Sequence, residues 1–414
     1  MTGRDFRTGR IRAGGRVASA RFALGAAAGS VVLMLAAAPV GAEIKDAEIR
    51  GLVDVVGAPN NSAIGYNHMN YGATNFDAYT IRLFAEGKPA DQLEVFAQVL
   101  ANDVNGLWIH GAYALYTPKL DKDLHLEAGK IPWPIGTWGP RTYSNKNPLV
   151  GVPLLYQYHT SLLSDQVVPN VDVLLSQAGL GGFGVSYSGG GGGPHGMSIV
   201  YDRCWDVGLV ALGSVRPVEY SIGVTNGTPG DAQPARDNNK GKSFMGRLGL
   251  APVPGLRVGV SGSIGPYAPT DIEGSLPAGA KATDYDQKLV MADLEYLVGH
   301  AEFHAEGAVN TYETPFVGDL TVHGYYVEGK YAFPVGLYLA ARWDQLFFSD
   351  VQGSTGPARP WDDNVSRFEG GAGYRVLHPL IAKLVYQMDR LDPKVPADSA
   401  RKYDLLAAAI SVSF

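Results

Sequence analysis

What most constrains this chain is a recurring pattern rather than a recurring motif. Sixteen short stretches, at about 48-57, 77-87, 91-103, 107-117, 123-134, 204-214, 217-227, 242-252, 255-265, 285-297, 300-313, 321-333, 336-348, 365-376, 379-390 and 402-414, alternate apolar and polar residues. A period of two is that of a β-strand with unlike faces. Most stretches run to about ten residues, the length a tilted strand needs to cross a membrane's hydrocarbon core. Tight turns such as GKPADQ, PKLDKD, PVPG and FPVG alternate with long connections at 58-76, 135-203, 228-241, 266-284, 314-320, 349-364 and 391-401; only the link near Asn105-Gly106 is short on the long side. This alternation predicts an all-β, transmembrane, antiparallel up-and-down β-barrel of about 16 strands, with a long extracellular loop folding inward. A soluble sandwich or propeller is the alternative, but it would not need an apolar outer band on every strand.

The strand faces carry the same prediction. Ala301, Phe303, Ala305 and Val309 alternate with Glu302, His304, Glu306 and Asn310; Phe368, Ala372 and Tyr374 alternate with Arg367, Glu369 and Arg375. Lipid tolerates the first set of each pair and a wet interior the second. On this assignment Arg247, Arg257, Lys330, Arg342 and Lys383 also point inward, among Glu328, Asp344 and other acids, so the expected lining is mixed and slightly acidic. Trp343, Tyr331, Tyr374 and Tyr403 are the expected aromatic girdle.

Residues 1–42 read as a secretory signal: six arginines precede the apolar run FALGAAAGSVVLMLAAA, and a small-residue cleavage site ends at Ala42. A single membrane-anchor helix is the other reading, although the run is short for it. Residues 43–414, the expected barrel domain, keep 28 basic against 39 acidic residues, a net charge of −11. Such a balance disfavours nucleic acid as a partner. Cys204, the lone cysteine, can form neither an internal disulfide nor a thiolate metal cage.

The chain ends YDLLAAAISVSF, an alternating strand closed by a bare aromatic ring, Phe414. This ending resembles the signal by which bacterial barrels are recognised by the outer-membrane assembly machinery. LEAGKIPWPIG (126-136), DVGLVALG (206-213) and VEYSIGVTNG (218-227) together resemble the phosphate-selective porin O and P family, within the sixteen-strand porins. The resemblance implies a Gram-negative outer-membrane porin: a water-filled channel in a lipid bilayer, commonly a homotrimer, passing small hydrophilic solutes or ions by diffusion, with anions or phosphate-type solutes as the family's preference. The family's ladder of arginines and lysines is not found in this sequence.

The connection at 135-203 is long enough to expect a function of its own. Arg141, Lys146, Tyr143 and His159 are its candidate constriction residues, since charged side chains at a narrowing set ion preference; lying across the mouth without touching solute is the other reading. GLGGFG (179-184) matches a dinucleotide fingerprint but is followed by glycines instead of a helix whose N-terminus could hold a pyrophosphate. Glu302, His304 and Glu306 share a face and could hold a divalent ion only with a further ligand from a neighbouring strand, so the expectation is cross-strand pairing, with no metal and no cofactor. A plugged structural or adhesive barrel, and a barrel enzyme using His304 as base, are the competing functional classes.

Overall fold

The computed structural model describes residues 45–58, 78–102, 106–181, 187, 196–201, 204–233, 236–392 and 401–414. The expected signal at 1–42, nearly all of the 58-76 connection and part of GLGGFG lie outside the described residues. Sixteen strands close into one antiparallel barrel. In chain order they are β1 (Lys45–Gly57), β2 (Ala78–Ala90), β3 (Leu93–Asn102), β4 (Gly106–Tyr116), β5 (Leu124–Pro132), β6 (Trp205–Val215), β7 (Val218–Thr225), β8 (Ser243–Val253), β9 (Leu256–Pro266), β10 (Asp286–Val298), β11 (Ala301–Tyr312), β12 (Leu320–Ala332), β13 (Leu337–Phe348), β16 (Val365–Leu377), β17 (Leu380–Leu391) and β18 (Arg401–Ser413). A two-residue pair, β14 (Asp350–Val351) and β15 (Arg359–Pro360), forms a small hairpin between β13 and β16. Each alternating run of the sequence falls on one barrel strand.

The strand register turns alternation into two chemically distinct walls. Val290, Ile222, Phe244 and Leu384 are among the exposed outer residues, whereas Met291, Asp293 and Val385 on the opposite face are buried. Closure leaves no free edge, because β1 pairs with β18 from Leu52↔Ser413 to Gly57↔Ala408. Tight turns at the opposite end from the long connections use glycines with left-handed backbone, as at Gly255 (φ 86°) and Gly299 (φ 58°).

Trp343, Tyr331 and Tyr374 lie exposed on the outer wall. Tyr403 does not: it shares the inner face with Leu405 and packs against the interior apolar cluster. That cluster unites inner-wall residues such as Met291, Tyr326, Val322 and Phe348 with Trp133, Trp138, Leu155, Tyr156 and Tyr158 from the connection between β5 and β6. Much of the barrel's interior is therefore a packed protein core.

Candidate functional site

The inner wall and the β5–β6 connection form one hydrogen-bonded unit. Trp133 continues the chain from β5 by donating to the Cys204 carbonyl (2.9 Å), tying together the start and end of the connection. From there the connection is bonded to one wall strand after another, though not in strand order. Gly136 donates to Ser261 Oγ of β9 (3.0 Å), the Thr137 hydroxyl to Glu306 of β11 (3.1 Å), and Arg141 to Glu328 of β12. Val150 and Gly151 donate through their backbone to Glu369 of β16 (3.1 and 2.8 Å), and Leu154 to Asp344 of β13 (3.0 Å). Lys383 of β17 donates to the carbonyls of Ser144 (2.5 Å), Asn147 (2.6 Å) and Leu149 (3.1 Å).

Arg342 is the electrostatic centre of this unit. Its guanidinium, 0% exposed, reaches Asp344 (3.1 Å), Glu328 (3.2 Å) and Glu369 (2.6 Å). Each of those carboxylates also accepts from the connection, so one cation holds three wall acids in position to clamp it. Beside it Arg367 pairs with Asp389 through Nε (2.7 Å) and Nη2 (3.1 Å), and with Gln157 Oε1 (2.6 Å). Buried charges persist when paired and fully hydrogen-bonded, and removing one partner is costly.

The expected constriction residues separate by environment. Arg141 is buried, pairs with Glu328 and lies 5.1 Å from the Trp138 ring centroid. His159 is also buried. Its Nδ1 lies 2.6 Å from the Gly196 carbonyl and 3.2 Å from Ser198 Oγ. The short carbonyl contact requires a proton on Nδ1, so that nitrogen cannot take the serine proton, and this serine–histidine contact lacks the geometry of a nucleophile and its base. Tyr143 is half-buried and donates to Gln98 (3.0 Å); Lys146 is exposed.

The expected lining divides similarly. Glu306, Glu328, Arg342, Asp344, Arg367, Glu369, Lys383 and His304 point inward but are buried, most of them beneath the connection, instead of facing water. Arg257, Glu302 and Lys330 keep solvent contact toward the tight-turn end, with Lys330 and Glu302 paired at 2.8 Å, while Arg247 is mostly covered and held by Asp293 at 2.6 Å. A pocket of about 840 Å³ at that end is lined by Glu219, Arg257 and Glu295, among others. Glu302, His304 and Glu306 diverge to Lys330, Glu295 and Thr137, and among the described residues no group of three acids, histidines or cysteines could hold a metal.

Sequence reasoning missed Gln157, Asn147 and Asp362. Asp362, in the β15–β16 link, accepts from the backbone of Ser161 (2.7 Å) and Gly179 (2.5 Å), and burial beside Asp363 raises its carboxyl to about 6. Gln157 and Asp362 meet partners far along the chain, whereas the Asn147 side chain ties its own turn through Gly151 and Leu149 and only its carbonyl reaches distant Lys383, so no sequence pattern marks them. Asp54 and Arg82, paired at 3.0 Å with Arg82 5.8 Å from the Tyr143 ring centroid, line the opposite wall.

No protein-family model matches the chain, and no curated protein matches it. Solved structures do. An anion-selective porin from Comamonas acidovorans aligns at a TM-score of 0.56 and 7% identity, covering 89% of this chain and 99% of that one. OmpF of Salmonella typhi, in complex with daunomycin, aligns at 0.51 and 12% identity over 89% and 97%. OmpT, an outer membrane protein of Vibrio cholerae in its trimer form, aligns at 0.50 and 11% identity over 89% and 99%. At these identities the likeness concerns architecture: the chain has the closed antiparallel barrel fold found in bacterial outer-membrane porins.

Proposed function

We propose that this chain is an outer-membrane porin, a water-filled channel through which small hydrophilic solutes and ions diffuse. The observation carrying this reading is the difference between two parts of one inner wall. Where the β5–β6 connection covers it, charges are buried; where it does not, Arg257, Glu219, Glu295 and Lys330 keep solvent contact. Solvated charges inside a closed barrel mark an aqueous space, and the apolar outer band suits a lipid bilayer. Passive diffusion needs no cofactor.

In this reading the connection narrows the bore, anchored mainly on the β9–β17 strands and reaching β1 and β3 through Ser144–Asp54 and Tyr143–Gln98. Lys146 is then the candidate cation for selectivity, because Arg141 is neutralised by Glu328. A preference for anions or phosphate-type solutes would rest on Lys146 against an otherwise mixed wall. Export by residues 1–42 to a Gram-negative outer membrane, recognition of Phe414 by the barrel assembly machinery and assembly as a homotrimer belong to the same proposal; the trimer form of OmpT supports the last by analogy.

The extensive interior core favours one second reading, a plugged structural barrel. Single-channel recording in a planar bilayer under a salt gradient separates the two. A porin gives stepwise, long-lived conductance, and Lys146→Ala moves its reversal potential toward cations. A correctly folded barrel without conductance would overturn the channel reading.

A further inference from the structure

At the end carrying the long connections, β4, β5 and β6 and the chain packed beside them enclose a cavity of about 370 Å³. This lies within the size range of small-molecule sites. Trp108 of β4 and Trp205 of β6 supply aromatic surface, and Lys130, Asp231, Gln233 and Asn238 supply polar groups. The Trp205 ring is fixed by stacking on Phe96 (6.1 Å between centroids, 9° between planes).

The polar rim is fixed as well. Asp206 accepts from the backbone of Gly227 (2.7 Å) and Gln233 (3.2 Å), fastening the β7–β8 connection to β6. Thr228 and Asp231 exchange backbone hydrogen bonds, both at 3.1 Å, and Gly230 donates to Gln287 of β10 (2.8 Å). Gln233 Nε2 donates to Asp231 Oδ2 (3.2 Å). Asn238 Oδ1 is buried with no hydrogen-bond partner among the described residues, an acceptor in the lining that a ligand hydroxyl can satisfy.

Charge chemistry narrows the ligand class. A bare anion would meet the carboxylates of Asp165 and Asp231, and a bare cation would meet Lys130. A neutral molecule rich in hydroxyls can donate to the carboxylates and Asn238, accept from Lys130 and Gln233, and lay its C–H face on tryptophan. We infer that this cavity is a binding subsite for a neutral polyhydroxylated solute of mono- to disaccharide size. Bound there, the solute would wait at the mouth of the channel proposed above, on which this role in uptake rests; binding itself needs no conductance.

The test is titration of the full-length protein, folded in detergent, with maltose by isothermal calorimetry, using choline chloride and inorganic phosphate as comparisons. Saturable maltose binding, weakened about tenfold or more by Trp108→Ala and by Gln233→Ala, is the expected result. Gln233 lies in a connection outside the barrel strands, so its variant guards against misfolding, and heat-modifiable migration checks every sample. Absence of saturable maltose binding in an intact barrel overturns the assignment. So does maltose binding that neither variant changes, or saturable binding of choline or phosphate alone. Maltose binding by a barrel that shows no conductance would refute the channel and leave the subsite standing.

Discussion

Phe414 and Gly51 close the barrel as a pair. The terminal residue donates its N–H to the Gly51 carbonyl (3.0 Å) and accepts from the Gly51 N–H (2.7 Å), extending the β1–β18 ladder by one step. Its ring occupies the space a Cβ at position 51 would need. A glycine in a strand interior weakens it, and a neighbouring aromatic ring that covers the gap restores contact area across the seam.

This pairing predicts two defects at one place. Phe414→Ala removes the ring while leaving the backbone ladder, and Gly51→Leu forces the ring out. Both variants are expected to lower the yield of heat-modifiable folded barrel, Gly51→Leu the more strongly because the displaced ring also disturbs the last ladder step. Gel mobility of unheated and heated samples provides the measurement, and unchanged folded fractions in both variants would contradict the closure role.

Removal of the central cation should be far more costly than any exposed charge change. Arg342→Met leaves Glu328, Asp344 and Glu369 clustered without their shared partner, and breaking a buried pair in this way costs about 3–5 kcal/mol. By contrast, Lys402→Met, at an exposed position, is expected to stay within about 0.5 kcal/mol. Denaturant midpoints of the two variants make the comparison.

Loosening the connection without cutting it is possible at Lys383. Lys383→Met frees the carbonyls of Ser144, Asn147 and Leu149 from the wall while retaining the apolar stem's volume. We expect faster protease cleavage within residues 142–150 and a larger, noisier single-channel conductance. Cleavage and conductance equal to those of the parent would show that the three bonds do not hold the segment.

A pH dependence follows from Asp362. Its folded-state value of about 6 lies above the ordinary aspartate value of 3.8, so its stabilising contribution is complete below about pH 4 and is lost as pH rises through 6. Between pH 4 and 7 the parent should therefore lose stability relative to Asp362→Asn, by an amount bounded at about 3 kcal/mol. Thermal melts of both proteins across that range measure the difference; parallel curves would remove Asp362 as the cause.

The barrel itself was legible because each strand writes its two environments into adjacent residues. Phe303 beside Glu302, and Leu384 beside Lys383, reveal outer and inner walls without knowledge of any partner, and the spacing of turns sets the strand order. Tyr403 shows the limit of that code: an aromatic near a strand end suits a girdle or a core equally, and only the chain packed beneath it put it inside.

The interior was decided by tertiary structure. Period two places Arg342, Asp344, Arg367, Glu369 and Lys383 on the inner face, but whether they meet water depends on a segment some 200 residues earlier, whose irregular backbone has no period to read. Arg141 and Lys146, five residues apart, illustrate the reason. One finds Glu328 across the barrel and is buried, and the other stays in solvent, because burial is a property of what the folded chain brings together.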